Sequence, residues 1–165
     1  MRETPTTAGT VTARVPALSR TGLSWVAAHG GAGASTLAAA LGGDDLGCRW
    51  PDEKRAEPAR ILLVARTHHG GLQSAARALG ALREGRHPPG MELFGLVLVA
   101  DAPGSLPRAL TRRIRVLRSV APVWSVPWIE SWRIGDETRQ VPKAVLRLAA
   151  FVQSTIALST KGSPR

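Results

Sequence analysis

The chain has 165 residues, 44% of them hydrophobic, which suits one compact domain with a core and excludes a wholly disordered chain. No stretch approaches the roughly 18 uninterrupted apolar residues of a membrane span, and the N-terminus lacks the apolar run of a secretory signal. The single cysteine, Cys48, excludes an internal disulfide. We therefore expect a cytoplasmic protein. The formal charge of +10, carried by 19 Arg and 3 Lys, produces a positive field that attracts nucleic acid, acidic proteins or anionic lipid, although a GC-rich genome gives the same arginine bias without selection for binding.

The first predicted elements are a strand, a glycine-rich turn and a helix in close succession. Residues 1–20 are rich in Thr, Pro, Ala and Arg without periodicity and are predicted to form a disordered tail, as are residues 159–165. Residues 21–158 then form a single domain. Within it, residues 23–28 are a short apolar run that predicts a buried strand, and residues 35–41, after the glycines, are good helix formers.

The rest of the domain alternates strands and helices. Residues 42–59 are polar and are predicted to form a long loop, whereas the continuous apolar run at 61–65 is typical of a parallel strand covered on both faces. Apolar spacing predicts further helices and strands in turn at 72–82, 93–100, 106–117, 123–126 and 142–152. The order β-α-β-α-β-α-β-α predicts an α/β fold with a small, mostly parallel sheet of about four strands and helices on both faces.

Three polar and glycine-rich segments each follow a predicted strand, at 29–36, 66–71 and 101–105. The carboxyl ends of parallel strands meet at one edge of a sheet, and ligands of such folds bind there. We therefore expect these segments to lie together and to form the functional site.

The first of these segments carries a recognisable motif. Residues 25–37 read WVAAHGGAGASTL, a glycine-rich turn between a strand and a helix. It resembles the deviant Walker A motif of the ParA/MinD-type partitioning ATPases, a strand followed by Lys-Gly-Gly-x-Gly-Lys-[Ser/Thr]-Thr and a helix. Glycines let backbone N–H groups surround phosphate oxygens, and the following helix directs its positive end at them. A glycine-rich turn without a ligand is the alternative. The matching residues are Gly30, Gly31, Gly33, Ser35 and Thr36.

The resemblance implies a P-loop NTPase-like fold that binds ATP or ADP with Mg²⁺, with Ser35 at the position of the magnesium-binding hydroxyl. Ala34, however, replaces the lysine that reaches the terminal phosphates, and His29 replaces the signature lysine and carries charge only when protonated. Ala28 also occupies the position of the first glycine in the general motif. We therefore expect a degenerate Walker A motif in a pseudo-ATPase, and we assign no catalytic residue.

Asp101 ends the strongest predicted strand, in LVLVADAPG, and has two interpretations. In the first, which depends on the resemblance, it is a Walker B-like acid that holds a magnesium-bound water. In the second it is a loop acid that caps a helix starting near Ser105, because Asp before Pro-Gly is ordinary turn chemistry. Arg66 stands where the family has a catalytic aspartate after its strand. The predicted cofactor-binding residues are His29, Gly30, Gly31, Gly33, Ser35, Thr36 and Asp101.

Three histidines and the arginines of the basic helix could each form a site, and each group also has a simpler structural interpretation. His29, His68 and His69 lack carboxylate or thiol partners at recognisable spacing, so no metal site is predicted. The basic helix has no acidic residue nearby, and its arginines form either a solvated face or a surface for nucleic acid or an acidic partner. That face carries Arg108, Arg112 and Arg115.

Trp124, Trp128 and Trp132 recur at four-residue intervals after the last predicted strand. They either pack over the edge of the sheet or, at Trp128 and Trp132 in particular, form a protein-docking surface.

Three hypotheses follow from these patterns. The first is a degenerate ParA/MinD-like protein that binds a nucleotide or another anion weakly, hydrolyses it poorly or not at all, and acts as an accessory or adaptor to a protein partner. Plasmid maintenance or DNA transfer is the setting that the resemblance implies, and the chain is also similar to small lysine-free P-loop proteins of GC-rich bacteria. The second is a basic nucleic-acid-binding module that uses residues 108–118. The third is a structural subunit that docks through residues 124–133.

Overall fold

The computed structural model describes residues 18–19, 22–135 and 141–160, with the backbone alone for the last two. Strands and helices alternate along the chain, with a short 3₁₀ turn at Glu53–Arg55 between the second and third strands. In chain order the elements are β1 (Ser24–Ala27), α1 (Ala34–Leu41), β2 (Asp44–Asp45), β3 (Arg60–Arg66), α2 (His69–Arg83), β4 (Glu92–Val99), α3 (Arg108–Arg118), β5 (Val123–Val126), α4 (Glu130–Ile134) and α5 (Lys143–Thr160).

The five described strands form one parallel sheet in the order β2-β1-β3-β4-β5. From β1 the chain moves to β2 on one side and then returns to β3 on the other, so the direction of winding changes between β1 and β3. In open parallel sheets, ligands bind in the crevice that such a change opens at the carboxyl ends of the strands. The predicted α/β class is confirmed, and its topology points to the ends of β1 and β3.

Both faces of the sheet are covered, because successive residues of a strand face opposite sides. Leu62 and Val64 pack with α1 and α5, whereas Ile61, Leu63 and Ala65 pack with α2 and α3. All five side chains are fully buried. The predicted helices on both faces are therefore confirmed, and they explain why the apolar run of β3 is continuous.

Trp25 is fully buried in β1, on the face that α1 and α5 cover. Its Nε1 donates to the carbonyl oxygen of Gly42 at 2.7 Å. Gly42 follows the last residue of α1. The indole is therefore directed towards the C-terminal end of α1, whereas the glycine-rich turn lies at the N-terminal end of that helix.

The sheet has one strand more than the sequence predicts. β2 lies inside the segment predicted as a loop at 42–59 and pairs with β1 over only two residues. Two exposed aspartates have no apolar pattern that predicts a strand. β2 forms because β1 would otherwise leave its outer backbone groups unpaired. A short helix, α4, also follows β5.

The ends of the described domain extend slightly beyond the predicted limits. Ser19, in the predicted tail, forms a parallel bridge with Pro58, and its backbone bonds to Glu57 and Ala59 at 2.8 Å each. α5 continues to Thr160, beyond the predicted domain end at residue 158. The remainder of the predicted tails lies outside the described residues. None of the described helices is long and apolar enough to cross a membrane.

Candidate functional site

The glycine-rich turn between β1 and α1 forms an open concavity at the carboxyl edge of the sheet. Gly31 and Gly33 have φ angles of 75° and 101°, in the left-handed region that favours glycine. A Cβ atom at Gly30 or Gly31 would meet no described atom within 4 Å, so the space in front of this backbone is open. Gly33 is the N-cap of α1, and no side chain bonds to the first N–H groups of that helix. This geometry suits an anion.

His29 connects the glycine-rich turn to β3 through hydrogen bonds. Its Nε2 accepts a hydrogen bond from the backbone N–H of Arg66 at 3.0 Å, so the proton of the neutral ring lies on Nδ1, which donates to the Gly30 carbonyl at 2.9 Å. Both ring nitrogens are thus used, and a proton on Nε2 would break the bond to β3. The His29 ring is thus a structural contact between the turn and β3.

Arg66 brings a positive charge to the turn. Its Nε donates to the carbonyl oxygen of Gly31 at 3.2 Å, and its Nη1 donates to that of Ala100 at 2.9 Å. These bonds use two of the five N–H donors of the guanidinium and leave three for a ligand. A Cβ at Gly33 would lie 3.9 Å from Nη2. In the described part of the chain, no carboxylate forms an ion pair with Arg66.

The start of α2 holds Arg66 and His29 in place. His68 is the N-cap of α2, and its Nδ1 accepts from the backbone N–H of Gly71 at 2.9 Å. A Cβ at Gly71 would overlap the Arg66 carbonyl oxygen and lie 3.0 Å from His29 Nε2, so only glycine allows this close approach. The centres of the His29 and His68 rings are 5.2 Å apart. Among the residues that the structure describes, no three His, Cys, Asp or Glu side chains group so that they could hold a metal ion.

Asp101 lies two residues after the end of β4, where its backbone N–H donates to the hydroxyl of the buried Thr67 at 3.1 Å. This bond joins the loops that follow β3 and β4. Helix α3 begins at Arg108, with Pro107 as N-cap and no side-chain cap. The interpretation of Asp101 as the cap of a helix starting near Ser105 is therefore wrong. The Walker B-like interpretation stays a prediction.

These elements surround a cavity of about 370 Å³, within the range of small-molecule sites. The glycine turn, the first turn of α1, the ends of β3 and β4 and the segment after β5 each contribute to its wall. The bordering residues include Gly31, Gly33, Thr36, Arg66, Asp101, Trp128, Trp132 and Arg133.

The two residues that the resemblance assigns to magnesium border adjoining spaces. Asp101 borders the 370 Å³ cavity. Ser35 borders a neighbouring depression, together with Asp45 and Cys48. The two spaces share part of their walls, formed by Gly31, Gly33, Thr36 and Arg66. The glycine-rich turn and Arg66 therefore lie between the cavity and this depression.

The three tryptophans of the predicted cluster differ in their surroundings. Trp124, inside β5, and Trp132, in α4, pack against the core on the side of α1 and α5. Trp128 is half-buried, its Nε1 donates to the Glu130 carboxylate at 2.7 Å, and the Arg133 guanidinium lies 5.8 Å from the centre of its ring. Trp128 and Trp132 both border the cavity. A docking role for this segment stays a prediction.

The three predicted arginines of α3 are exposed, and their spacing in the helix places them on one side of it. Arg115, together with Arg118, borders a groove beside α3, whereas Arg108 and Arg112 do not border it. A nucleic-acid surface on α3 stays a prediction.

Sequence reasoning placed the segment 66–71 at the site but assigned no role there to Arg66 or Gly71. Arg66 does carry a signal, because a charged residue closes an otherwise continuous buried strand at its carboxyl end. Gly71 carries a weaker one, since two glycines in the first turn of a predicted helix oppose helix propensity and indicate a packing constraint.

The fold and the site define an open, parallel α/β protein with a glycine-rich, lysine-free turn at the carboxyl edge of its sheet. A family model described as a family of unknown function, DUF6668, matches residues 21–148, and the chain belongs to this family. No curated protein matches the chain.

Two solved structures are similar to this chain at low sequence identity. The cell division ATPase MinD of Pyrococcus furiosus is 16% identical with a TM-score of 0.44, over 68% of this chain and 52% of that one. Apo McdA of Cyanthece is 14% identical with a TM-score of 0.39, over 79% of this chain and 58% of that one. The chain therefore spans little more than half the length of either.

Proposed function

We propose that this protein binds a phosphate-bearing anion, such as a nucleotide, in the cavity at the glycine-rich turn, and that it acts as an accessory protein without efficient hydrolysis. The observation that most supports the proposal is the Arg66 guanidinium, which donates to Gly31 and keeps three N–H donors for a ligand. A guanidinium suits phosphate oxygens because its donors form a planar fork.

The residues at the turn fit a phosphate group. The left-handed glycines leave the backbone open, and α1 begins without a side-chain cap, so its positive end is available to an anion. Arg66 would add a charge that compensates for Ala34 at the lysine position. The Thr36 hydroxyl borders the same cavity.

Hydrolysis needs more than phosphate binding. Phosphoryl transfer depends on cations that neutralise the developing charge and on a group that positions the nucleophile. At this turn Ala34 supplies no charge, and β3 ends in Arg66 instead of an acid. We therefore propose that Mg²⁺ changes the affinity for ATP little and that turnover is absent or very slow.

The test is a calorimetric titration of the full chain with ATP, ADP and pyrophosphate, with and without Mg²⁺, alongside a phosphate-release assay. The informative variant is Thr36→Glu, because an acid in the first turn of α1 favours the helix but repels an anion in the cavity. Ala39→Glu, exposed on the same helix and away from the cavity, is the matched control.

We expect saturable binding by the natural chain and Ala39→Glu, with binding at least about tenfold weaker in Thr36→Glu. Absence of binding up to millimolar ligand would refute the binding site, and equal affinity in all three chains would place the ligand elsewhere. Robust Mg²⁺-dependent ATP turnover would refute the claim that the protein is not an efficient ATPase.

A further inference from the structure

A second, larger hollow lies beside α3, separate from the glycine-rich turn. It has a volume of about 650 Å³ and runs between the loop that joins β4 to α3 and the exposed side of α3, with the segment after β5 at its end. We call it the α3 groove. Trp128 borders both this groove and the smaller cavity, but no residue of the glycine turn borders the groove.

The floor of the α3 groove is apolar. Leu98 and Ile114 reach it from β4 and α3, and Trp128 closes one end. Leu106, in the loop before α3, also lines the hollow and is 40% exposed, so its apolar surface is accessible to a ligand. A floor of this kind favours a ligand with apolar side chains.

The rim of the same groove is cationic. Thr111 lies three and four residues before Ile114 and Arg115, and Arg118 lies four and three residues after them, so these side chains share one side of α3. All four border the groove. Both arginines are exposed. The ion pairs formed within the described residues use Arg49, Arg55 and Arg86, and none uses an arginine of α3. The two guanidinium groups on the rim are therefore available to carboxylates.

We propose that the α3 groove binds an acidic amphipathic segment of a partner protein. Its apolar side chains would occupy the floor beside Leu106 and Ile114, and its carboxylates would pair with Arg115 and Arg118. The volume suits a few side chains, and the combination of an apolar floor with charged edges is the pattern by which grooves accept amphipathic helices. A nucleic-acid backbone would use the arginines but gain nothing from the apolar floor, so a peptide is favoured.

The test is a selection of random peptides of about 12 residues, three helical turns, against the full chain, followed by fluorescence anisotropy with the enriched peptides. Arg115→Gln/Arg118→Gln removes the charges of the rim, and Arg112→Gln/Arg113→Gln removes the same charge from the same helix outside the groove. Gln matches Arg in helix propensity, so both variants should fold. Leu106→Asp places a carboxylate on the floor from an exposed position.

We expect the selection to enrich peptides that combine several Asp or Glu with at least two large apolar residues. Arg115→Gln/Arg118→Gln should weaken their binding by about tenfold to a hundredfold, since two charge-assisted bonds are lost. Arg112→Gln/Arg113→Gln should stay within about twofold of the natural chain, and Leu106→Asp should bind at least about tenfold more weakly. Thr36→Glu should bind the peptide normally, which separates this proposal from the anion site.

Several results would overturn the proposal. One is a selection that enriches no acidic apolar peptides. Another is an equal loss of affinity in the two double variants, which would indicate unspecific attraction to the charge of α3. A third is tighter binding of a short DNA duplex, weakened alike by both double variants, which would identify α3 as a nucleic-acid surface.

Discussion

Replacement of Arg66 by Gln tests whether this side chain compensates for the missing lysine. In the structure, Nε and Nη1 of Arg66 bond to the carbonyl oxygens of Gly31 and Ala100, and the remaining donors face the cavity. A phosphate oxygen in hydrogen-bond contact would lie about 4 Å from the centre of the guanidinium, an attraction of about 4 kcal/mol at an effective dielectric constant near 20. Arg66 is only half-buried, so solvent reduces this to about 2 kcal/mol. Arg66→Gln should therefore weaken ADP binding by about thirtyfold.

Isothermal titration calorimetry with ADP measures this loss without relying on tryptophan fluorescence. Calorimetry is preferable because Trp25, although next to the turn in sequence, is buried with its indole at the opposite end of α1. The loss should shrink when salt is raised towards 1 M, because the Debye length there is only about 3 Å. Thermal unfolding of the variant reports the separate cost of losing the two bonds to carbonyl oxygens, about 1 kcal/mol each.

The rescue variant is Ala34→Lys in the Arg66→Gln background. Ala34 is buried at the start of α1 and borders the depression that shares Gly33 and Arg66 with the cavity, so the apolar stem of a lysine has a path to the ligand. We expect it to recover about tenfold in affinity. Unchanged ADP affinity in Arg66→Gln, or no recovery in the double variant when both chains are folded, would refute a compensating role for Arg66.

Two further predictions concern the framework around the site. Two hydrogen bonds of 2.6 Å from Arg49 lower the pKa of Glu57 from 4.5 to about 2. The charged carboxylate therefore stabilises the folded chain above pH 4.5, and this contribution is lost as the pH falls towards 2. Glu57→Gln should lower the free energy of unfolding, measured with urea at pH 7, by about 1 kcal/mol, because the exposure of Arg49 weakens the ion pair. A difference in stability between the natural chain and the variant that stays constant between pH 5 and 3 would contradict this explanation. Gly71→Ala should destabilise the chain by about 1–3 kcal/mol, because its Cβ overlaps the Arg66 carbonyl oxygen. Gly80→Ala, in the same helix with open space around it, should instead stabilise by about 0.5–1 kcal/mol, and equal effects of the two changes would show that packing at Arg66 is not the cause.

Local patterns were sufficient to predict the alternation of strands and helices. The apolar run of β3 and the glycine turn followed by helix formers depend on residues close together in the chain, and the structure has both elements where they were expected. β2 could not be predicted, because two exposed aspartates pair only where the free edge of β1 happens to lie beside them. The capping interpretation of Asp101 failed for a different, local reason, because Pro107 is the N-cap of α3 and the helix begins only at Arg108.

The sequence by itself determined the fold class and located a glycine-rich turn without a lysine, because hydrophobic period, helix propensity and glycine conformation are local properties. Only the tertiary structure decided which side chains meet at that turn. The strand order puts β3 between β1 and β4, so the Arg66 side chain can reach Gly31 on one side and Ala100 on the other. The same packing uses both nitrogens of His29 in structural bonds. The bonds of Arg66 to His29, Gly31 and Ala100 each join residues more than 30 positions apart in the chain, and no local pattern predicts such long-range contacts.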